Sequence, residues 1–317
     1  MKNFDSICKM TQNGVKEYMT AYLMSKGYQP ICEDGFLYAK GTVPVLLVAH
    51  MDTVHKELCK EIVREDGKLS SPQGIGGDDR CGIYIIMNIV KELNCSVLLC
   101  EDEEIGGVGA RKFTKSDYIN SLDVNYMLEF DRKGSNDAVY YSCDNKEFKA
   151  FIECASSFKE AYGSFSDISV LMSAANLSAV NLSSGYYNAH TTKEYVVYDE
   201  MMDVVNEAKS IINAKCEKPF EYVAKKYAPI TKWETTSNKS LSSLNKYSNS
   251  AQISLFDDTE INMRDMELEL EVIWQSRYEE KEESALIYGQ TKPECWFKFF
   301  IQHDDVCMAD VVDYSWS

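Results

Sequence analysis

Short apolar runs bounded by polar residues recur along the first two thirds of the chain. The runs are 44–49, 96–100, 126–130 and 177–182. Uninterrupted runs of this length are typical of strands that are buried on both faces of a sheet. Residues 81–93 and 199–214 instead repeat their apolar positions at helical spacing. Strands that alternate with helices predict an α/β fold of three layers, α/β/α, around a mostly parallel or mixed central sheet.

Weaker patterns predict the remaining elements of this fold. Residues 1–27 have apolar positions at helical spacing, and residues 31–39 resemble a hairpin that turns at an Asp-Gly pair. A further strand is predicted at 138–143 and a further helix at 146–161.

The pattern changes after about residue 224. Residues 225–259 are rich in serine and asparagine, which is typical of a flexible linker. Aromatic and apolar residues return at 260–317. We therefore predict an α/β domain at 1–224, a linker at 225–259 and a small C-terminal module at 260–317 whose fold the pattern does not identify.

Composition and charge narrow the functional classes. The net charge of −17 over 317 residues argues against direct binding to nucleic acid or to an anionic membrane, since both require basic surface. No apolar run is long enough to cross a bilayer, and the N-terminus lacks the apolar core of a signal peptide. The eleven cysteines are scattered without a CxxC pair, so we expect them to be reduced, in a cytoplasmic protein.

Side chains able to bind metal follow the ends of the predicted strands. They are His50 and Asp52 after 44–49, Glu103 and Glu104 after 96–100, Asp131 after 126–130, and His190 after 177–182. A glycine-rich turn adds Asp78 and Asp79 at the start of a helix. In open α/β sheets the functional crevice lies outside the carboxyl ends of the strands, so we expect these side chains to converge.

This mixture of imidazole and carboxylate suits zinc, and manganese or cobalt accept the same nitrogen and oxygen ligands. Two ions at the usual separation of about 3.5–4 Å need a group that bridges them. A further carboxylate must stay off the ions in order to carry protons. The adjacent Glu103 and Glu104 can divide metal binding and proton transfer between them.

Five segments in this order resemble the co-catalytic zinc exopeptidases, the group that includes peptidase T, the glutamate carboxypeptidases and the simpler aminopeptidases. The segments are VAHMDTV, GIGGDDRCGI, EDEEIGGVGA, EFDRKG and SGYYNAHTTKEYV. They extend over roughly residues 45–200, and the last one is most similar to peptidase T-like sequences. The two remaining histidines, His55 and His303, match none of the segments.

The resemblance implies two zinc ions and a role for each matching residue. The implied ligands are His50 and Asp131 for the first ion, Glu104 and His190 for the second, and Asp78 as the bridge between them. Glu103 is then the general base, and Asp52 accepts a hydrogen bond from the far nitrogen of His50. The resemblance also implies a cis peptide bond between Asp78 and Asp79.

Each residue also has an ordinary structural interpretation. A single histidine is more often a surface or core residue than a ligand, and Asp78 and Asp79 resemble the acids common at helix N-termini. Asp131 lies beside basic residues and could form an exposed ion pair. The order of the five segments favours the metal site over these interpretations. Two further acids have roles that the sequence leaves open. Asp167 could be a site residue or a helix cap, and Glu194 could be a site residue or a support for the His190 loop.

Many members of this group carry an inserted lid or dimerisation domain. Only 58 residues separate Asp131 from His190, and 27 separate His50 from Asp78. The predicted strands and helices already use these residues. We therefore expect a catalytic domain without a lid, and the group's substrate specificity does not transfer with the metal site.

The resemblance implies a metal-dependent amide hydrolase, and most of the group are exopeptidases that act on short peptides. A deacylase acting on N-acyl amino acids would use the same residues. A metal-binding scaffold without hydrolytic activity is a third interpretation, although it would need neither Glu103 nor Asp52.

Residues Gln252–Phe256, with the sequence QISLF, resemble the short peptide by which bacterial proteins dock on the DNA polymerase sliding clamp. The segment lies within the predicted linker, where such peptides are accessible. The alternative is a chance match in which Leu255 and Phe256 pack on the protein's own core. A sliding clamp is thus a candidate partner, besides the peptide or acyl-amino-acid substrate.

Overall fold

The computed structural model describes residues 2–214 and 216–225 and, by their backbone alone, three strands further along the chain. The chain divides into two compact units, Met1–Lys226 and Tyr227–Ser317. Nearly all of the predicted linker, with Gln252–Phe256, lies outside the described residues, as does His303. The predicted domain limits and the docking peptide therefore stay predictions.

The first unit alternates strands and helices throughout. Its helices are α1 (Lys2–Ile7), α2 (Gln12–Ser25), α3 (Gly77–Ile89), α4 (Val108–Phe113), α5 (Lys146–Ala155), α6 (Asp167–Ala175) and α7 (Tyr198–Asn213). Its strands are β1 (Ile31–Glu33), β2 (Phe36–Ala39), β3 (Val43–His50), β4 (Val63–Glu65), β5 (Lys68–Ser70), β6 (Cys95–Cys100), β7 (Tyr126–Arg132), β8 (Asp137–Val139), β9 (Lys159–Ala161), β10 (Ala179–Ser183), β11 (Tyr186–Tyr187) and β12 (Tyr195–Val197).

The central sheet has eight strands in the order β1-β2-β6-β3-β7-β10-β8-β9. The four middle strands, β6, β3, β7 and β10, run parallel to one another, whereas β2 pairs antiparallel with β6 and β8 pairs antiparallel with β10. The carboxyl ends of the four parallel strands therefore lie along one edge. The α/β fold with a mixed, mostly parallel sheet that the sequence predicts is confirmed.

Helices cover both faces of this sheet. On one face α3 packs on β3 and β7 and contacts α1 and α7. Helices α4 and α6 contact each other, and α4 packs on β2 and β6 while α6 packs on β3 and β10. Gly82 lets α3 approach β7 closely, because a Cβ atom at this position would lie 2.1 Å from the carbonyl oxygen of Phe130. This approach brings the first turn of α3 to the carboxyl end of β7.

Two smaller sheets complete the described structure. In the first unit, β11, β12, β5 and β4 pair in that order, all antiparallel. In the second unit, β13 (Leu268–Gln275), β14 (Glu282–Gly289) and β15 (Val311–Trp316) form an antiparallel sheet in the order β14-β13-β15.

The residues between Asp131 and His190 all belong to the central fold. They form β8, α5, β9, α6, β10 and β11, each paired in a sheet or packed against it. Within this fully described range there is no inserted domain. The prediction that no lid is inserted between Asp131 and His190 is confirmed.

Two predicted elements end earlier than expected. The helix predicted at 146–161 stops at Ala155, and Lys159–Ala161 is the edge strand β9. Ser156 has an extended backbone, and Ser157 donates both its N–H and its hydroxyl to Glu207, which holds the chain out of the helix. The strand predicted at 138–143 ends at Val139 because Tyr141 adopts a left-handed turn conformation, with φ of 48°.

The prediction of a cis peptide bond between Asp78 and Asp79 is wrong, because the bond is trans. Both residues lie in the first turn of α3, which begins at Gly77. A regular helix needs trans bonds, and a cis bond without proline costs about 3 kcal/mol. The resemblance to the exopeptidases does not extend to this backbone detail.

Within the described residues, no helix combines the length and apolar character needed to cross a bilayer. The described cysteines are unpaired, and most of them are buried. These observations leave the cytoplasmic location as a prediction.

Candidate metal centre

The predicted ligands lie together at the carboxyl edge of the parallel strands. His50 is the last residue of β3, and Asp131 is near the end of β7. Glu103 and Glu104 follow β6, and His190 lies in the loop between β11 and β12. Asp78, in the first turn of α3, faces the same edge because α3 packs so closely on β7.

His50 is held between two carboxylates. Its Nδ1 lies 3.3 Å from Asp52 Oδ1, and its Nε2 lies 3.1 Å from Asp131 Oδ1. The imidazole is 2% exposed, so it cannot exchange these partners for water. A proton on Nδ1 that is donated to Asp52 leaves the Nε2 lone pair free to bind a cation, which is the tautomer that a metal requires.

Asp52 also fixes the backbone of the acidic pair. Its Oδ1 accepts the N–H of Glu103 and its Oδ2 accepts the N–H of Glu104, both at 3.0 Å. One carboxylate therefore orients His50 and the turn that carries both glutamates. These backbone hydrogen bonds are contacts of Asp52 that the sequence does not predict.

Asp78 lies between the two histidines. Its Oδ1 is 4.0 Å from His50 Nε2, and its Oδ2 is 2.9 Å from His190 Nε2. The side chain is nearly buried, with 9% exposed. A carboxylate whose two oxygens face different imidazoles has the arrangement of a bridge between two cations.

Glu104 and Glu103 differ in their contacts. Glu104 Oε1 lies 2.9 Å from His190 Nε2, so Glu104 and His190 face the same point. Glu103 and Glu104 both lie near His50, with ligand atoms within 4.8 Å of one another. Contact with His190 favours Glu104 as the ligand of the second position, and leaves Glu103 for proton transfer.

Asp131 is oriented by uncharged neighbours. Its backbone N–H donates to Asn181 Oδ1 at 2.9 Å, and the Asn181 amide approaches Asp131 Oδ2 at 3.4 Å. The Tyr186 hydroxyl donates to the Asp131 carbonyl oxygen at 2.9 Å. The sequence pattern predicts neither contact, because Asn181 lies on β10, which pairs with β7, and Tyr186 lies on β11, in the smaller sheet.

The donor atoms fit two cations that share one ligand. His50, Asp78 and Asp131 form one group and Asp78, Glu104 and His190 another, each with its donor atoms within 4.8 Å. Each group offers imidazole nitrogen and carboxylate oxygen, the donors that zinc binds in catalytic sites with three protein ligands and an open position.

Burial and the neighbouring charged groups together set the pKa values of the cluster. Burial, with the negative charge of Asp78, raises the pKa of Asp131 to about 8. Burial and the charge of Asp131 raise the pKa of Glu103 well above its ordinary value. Burial lowers the pKa of His190, but its hydrogen bonds with Asp78 and Glu104 outweigh this effect and raise the pKa to about 12. Protons thus compensate charge that a divalent cation would compensate instead.

We expect zinc binding to release about two or three protons per chain at pH 7, because the ligands must be deprotonated. Asp131 and His190 hold protons at this pH in the absence of a cation. Burial lowers the pKa of His50, but the neighbouring Asp131 and Asp52 outweigh burial and raise it. Calorimetric zinc titration in buffers of different ionisation enthalpy measures the release. A binding enthalpy that is independent of the buffer would contradict this protonation scheme.

Asp167 and Glu194, whose roles the sequence leaves open, have different surroundings. Asp167 is fully buried at the start of α6, without an N–H or O–H partner among the described residues. Burial raises its pKa to about 7. Glu194 accepts three hydrogen bonds, one of them from His55, which sequence motifs did not mark. His55 and Glu194 are 139 positions apart in the sequence, which explains why local spacing gives no signal for the pair.

Comparison with solved structures finds chains that are similar to this one. Aminopeptidase PepT from Bacillus cereus ATCC 10987 matches with a TM-score of 0.58 and 14% identity, over 67% of this chain and 97% of that chain. A tripeptidase from Staphylococcus aureus subsp. aureus Mu50 matches with a TM-score of 0.47 and 12% identity, over 66% and 95% of the two chains. A glutaminyl cyclase from Bacteroides thetaiotaomicron matches with a TM-score of 0.48 and 13% identity, over 68% and 95%.

No protein-family model matches the sequence, and no curated protein sequence matches it. At 14% identity, the similarity to the Bacillus cereus aminopeptidase establishes the fold alone. That fold agrees with the five ordered segments and with a sheet edge that gathers two histidines and four acids. The first unit of this chain therefore shares the fold of the Bacillus cereus aminopeptidase.

Proposed function

We propose that the protein is a metal-dependent amide hydrolase, an exopeptidase that removes terminal residues from short peptides. The observation that carries the proposal is the pair of ligand groups that share Asp78. A structural ion needs one closed site, whereas two adjacent open sites are the arrangement found in hydrolases with two metals.

Two zinc ions, when bound, would polarise the substrate carbonyl and lower the pKa of a shared water toward 7. His50, Asp131, Asp78, Glu104 and His190 would hold them. Asp52 keeps the His50 imidazole in the metal-binding tautomer through the contact at Nδ1. Glu103 takes a proton from the attacking water and returns it to the leaving amine.

The position of Glu103 supports this proton transfer. Its carboxyl lies within 4.8 Å of donor atoms of both His50 and Glu104. Burial raises its pKa, and a bound cation would oppose that shift. A raised pKa suits a carboxyl that must return a proton to the leaving group after accepting it.

A hydrolysis screen of the zinc-loaded protein tests the proposal. The panel holds aminoacyl amides, dipeptides, tripeptides and N-acyl amino acids, with products identified by mass spectrometry. We expect cleavage of terminal peptide bonds, lost on chelation and restored by zinc, manganese or cobalt. The Glu103→Gln variant, purified in parallel, shows whether a contaminating peptidase contributes.

The other outcomes identify the alternatives. Preference for N-acyl amino acids would make the protein a deacylase with the same site. Absence of turnover on every substrate, with two ions bound per chain, would overturn the hydrolase proposal and favour a metal-binding scaffold. The peptide Gln252–Phe256 is a separate proposal, tested by binding of residues 248–260 to a sliding clamp beside a peptide with Leu255 and Phe256 replaced by alanine.

A further inference from the structure

Glu194 is a fully buried carboxylate that none of the ligand groups includes. Its Oε1 accepts the Asp78 N–H at 3.0 Å, and its Oε2 accepts the Gly76 N–H at 2.8 Å. The His55 Nε2 also lies 2.9 Å from Oε2. Three donors from two other segments therefore converge on one side chain.

This carboxylate caps the helix that carries the bridging residue. The first N–H groups of a helix have no partner within the helix, and the N-cap of α3 is Gly76, which has no side chain to supply one. Glu194 supplies the acceptors from a distant loop, and its negative charge lies at the positive end of the helix dipole. Fixing this turn fixes the direction of Asp78.

Glu194 also belongs to the loop of the second histidine. It follows His190 by four residues, and its N–H donates to the Thr191 carbonyl oxygen at 3.1 Å. His190 is 37% exposed and has a left-handed φ of 63°. The Glu194 side chain thus connects the turn that carries Asp78 to the loop that carries His190. Asp78 Oδ2 and His190 Nε2 themselves lie 2.9 Å apart.

His55 completes the arrangement from the segment after Asp52. It packs over Gly74, where a Cβ atom would lie 2.1 Å from the imidazole Cε1. Gly74 also has a φ of 89°, which favours glycine. The glycine-rich turn before α3 therefore leaves room for His55 to reach Glu194.

We infer that Glu194 and His55 form a positioning pair that holds Asp78 opposite His190 and thereby sets the affinity of the second metal position. The inference rests on the proposed metal site. The first position depends less on this pair, because strands β3 and β7 hold His50 and Asp131. Asp52 and Asn181 orient those two residues independently of Glu194.

The Glu194→Gln variant tests the inference. The glutamine amide has only one oxygen to accept a hydrogen bond, so its NH₂ group would face the N–H of either Asp78 or Gly76. Two donors would then face each other, and one backbone N–H would lose its acceptor. We expect binding of the second zinc ion to weaken by roughly 10–100-fold, the range typical when a group that orients a ligand is lost. Binding of the first ion, which keeps His50 and Asp131, should weaken less than binding of the second. Zinc calorimetry and cobalt absorption titration measure both steps without an activity assay.

His55 variants separate positioning from general stabilisation. In His55→Gln the amide N–H can replace Nε2 as the donor to Glu194, so the second affinity should stay within about threefold of wild type. In His55→Leu no donor remains, and the second affinity should fall as in Glu194→Gln. This variant also tests the pair if Glu194→Gln does not fold. Glu207→Gln is the control, because Glu207 likewise accepts a backbone N–H, from Ser157, far from the metal site.

Equal weakening of both ions, or no weakening of either, in the folded Glu194→Gln and His55→Leu variants would overturn the inference. So would failure of His55→Gln to retain the second affinity. If the wild-type protein itself binds fewer than two ions, the proposed metal site fails first, and this inference fails with it. The wild-type titration therefore distinguishes the two failures.

Discussion

Replacing Glu103 with glutamine is expected to lower kcat for peptide hydrolysis by roughly 10²–10⁴-fold while both metal ions stay bound. Glutamine has nearly the same shape, but its amide cannot accept a proton from water. Glu103 makes no contact with His190 of the kind that Glu104 makes at 2.9 Å, so its loss should leave the second position intact. Steady-state kinetics and elemental analysis of the same preparation measure both effects.

Glu104→Gln is the matched control for this prediction. Glu104 belongs to the ligand group with Asp78 and His190, so the variant should lose the second ion before it loses the capacity for proton transfer. Excess zinc should then restore part of its activity, whereas it should restore none to Glu103→Gln. If Glu103→Gln loses an ion and Glu104→Gln keeps both, the two roles are reversed, with Glu103 as the ligand.

Replacing Asp78 with alanine is expected to weaken both metal positions, because its two oxygens face His50 and His190. The loss of zinc affinity should exceed the roughly 10–100-fold loss that follows removal of a group that merely orients a ligand. Hydrolysis should fall to background at zinc concentrations that saturate the wild-type protein. Zinc titration followed by calorimetry measures the two affinities.

Asp79→Asn is the control in the same helical turn. Asp79 is buried and belongs to none of the ligand groups, so both ions should remain bound in this variant. Burial raises the pKa of Asp79 to about 7, so a neutral amide differs little from the state that the carboxyl already adopts for part of the time. An Asp78→Ala variant that loses only one ion would show that Asp78 is a ligand of one position and not a bridge.

The sheet edge could be predicted from the sequence because strand ends are visible as local patterns. His50 and Asp131 end apolar runs, and parallel strands place such ends side by side. The polar clusters after these runs therefore predict a shared site before any contact is known. The absence of a lid follows in the same way from the length of chain between Asp131 and His190.

Features that depend on distant contacts could not be predicted. Arg80 is 1% exposed and donates to the carbonyl oxygens of Ile7, Met51 and Met10, so its charge lies in the core. In the sequence it is simply a basic residue after two acids. The Glu194 contacts with Gly76 and Asp78 likewise join loops that are more than 100 residues apart.

Anomalous diffraction at the zinc absorption edge, from crystals grown with excess zinc, tests the two-metal site most directly. We predict two peaks about 3.5–4 Å apart. One should contact His50 and Asp131, the other Glu104 and His190, with Asp78 in contact with both. A single peak, or peaks away from these side chains, would contradict the proposed di-zinc centre.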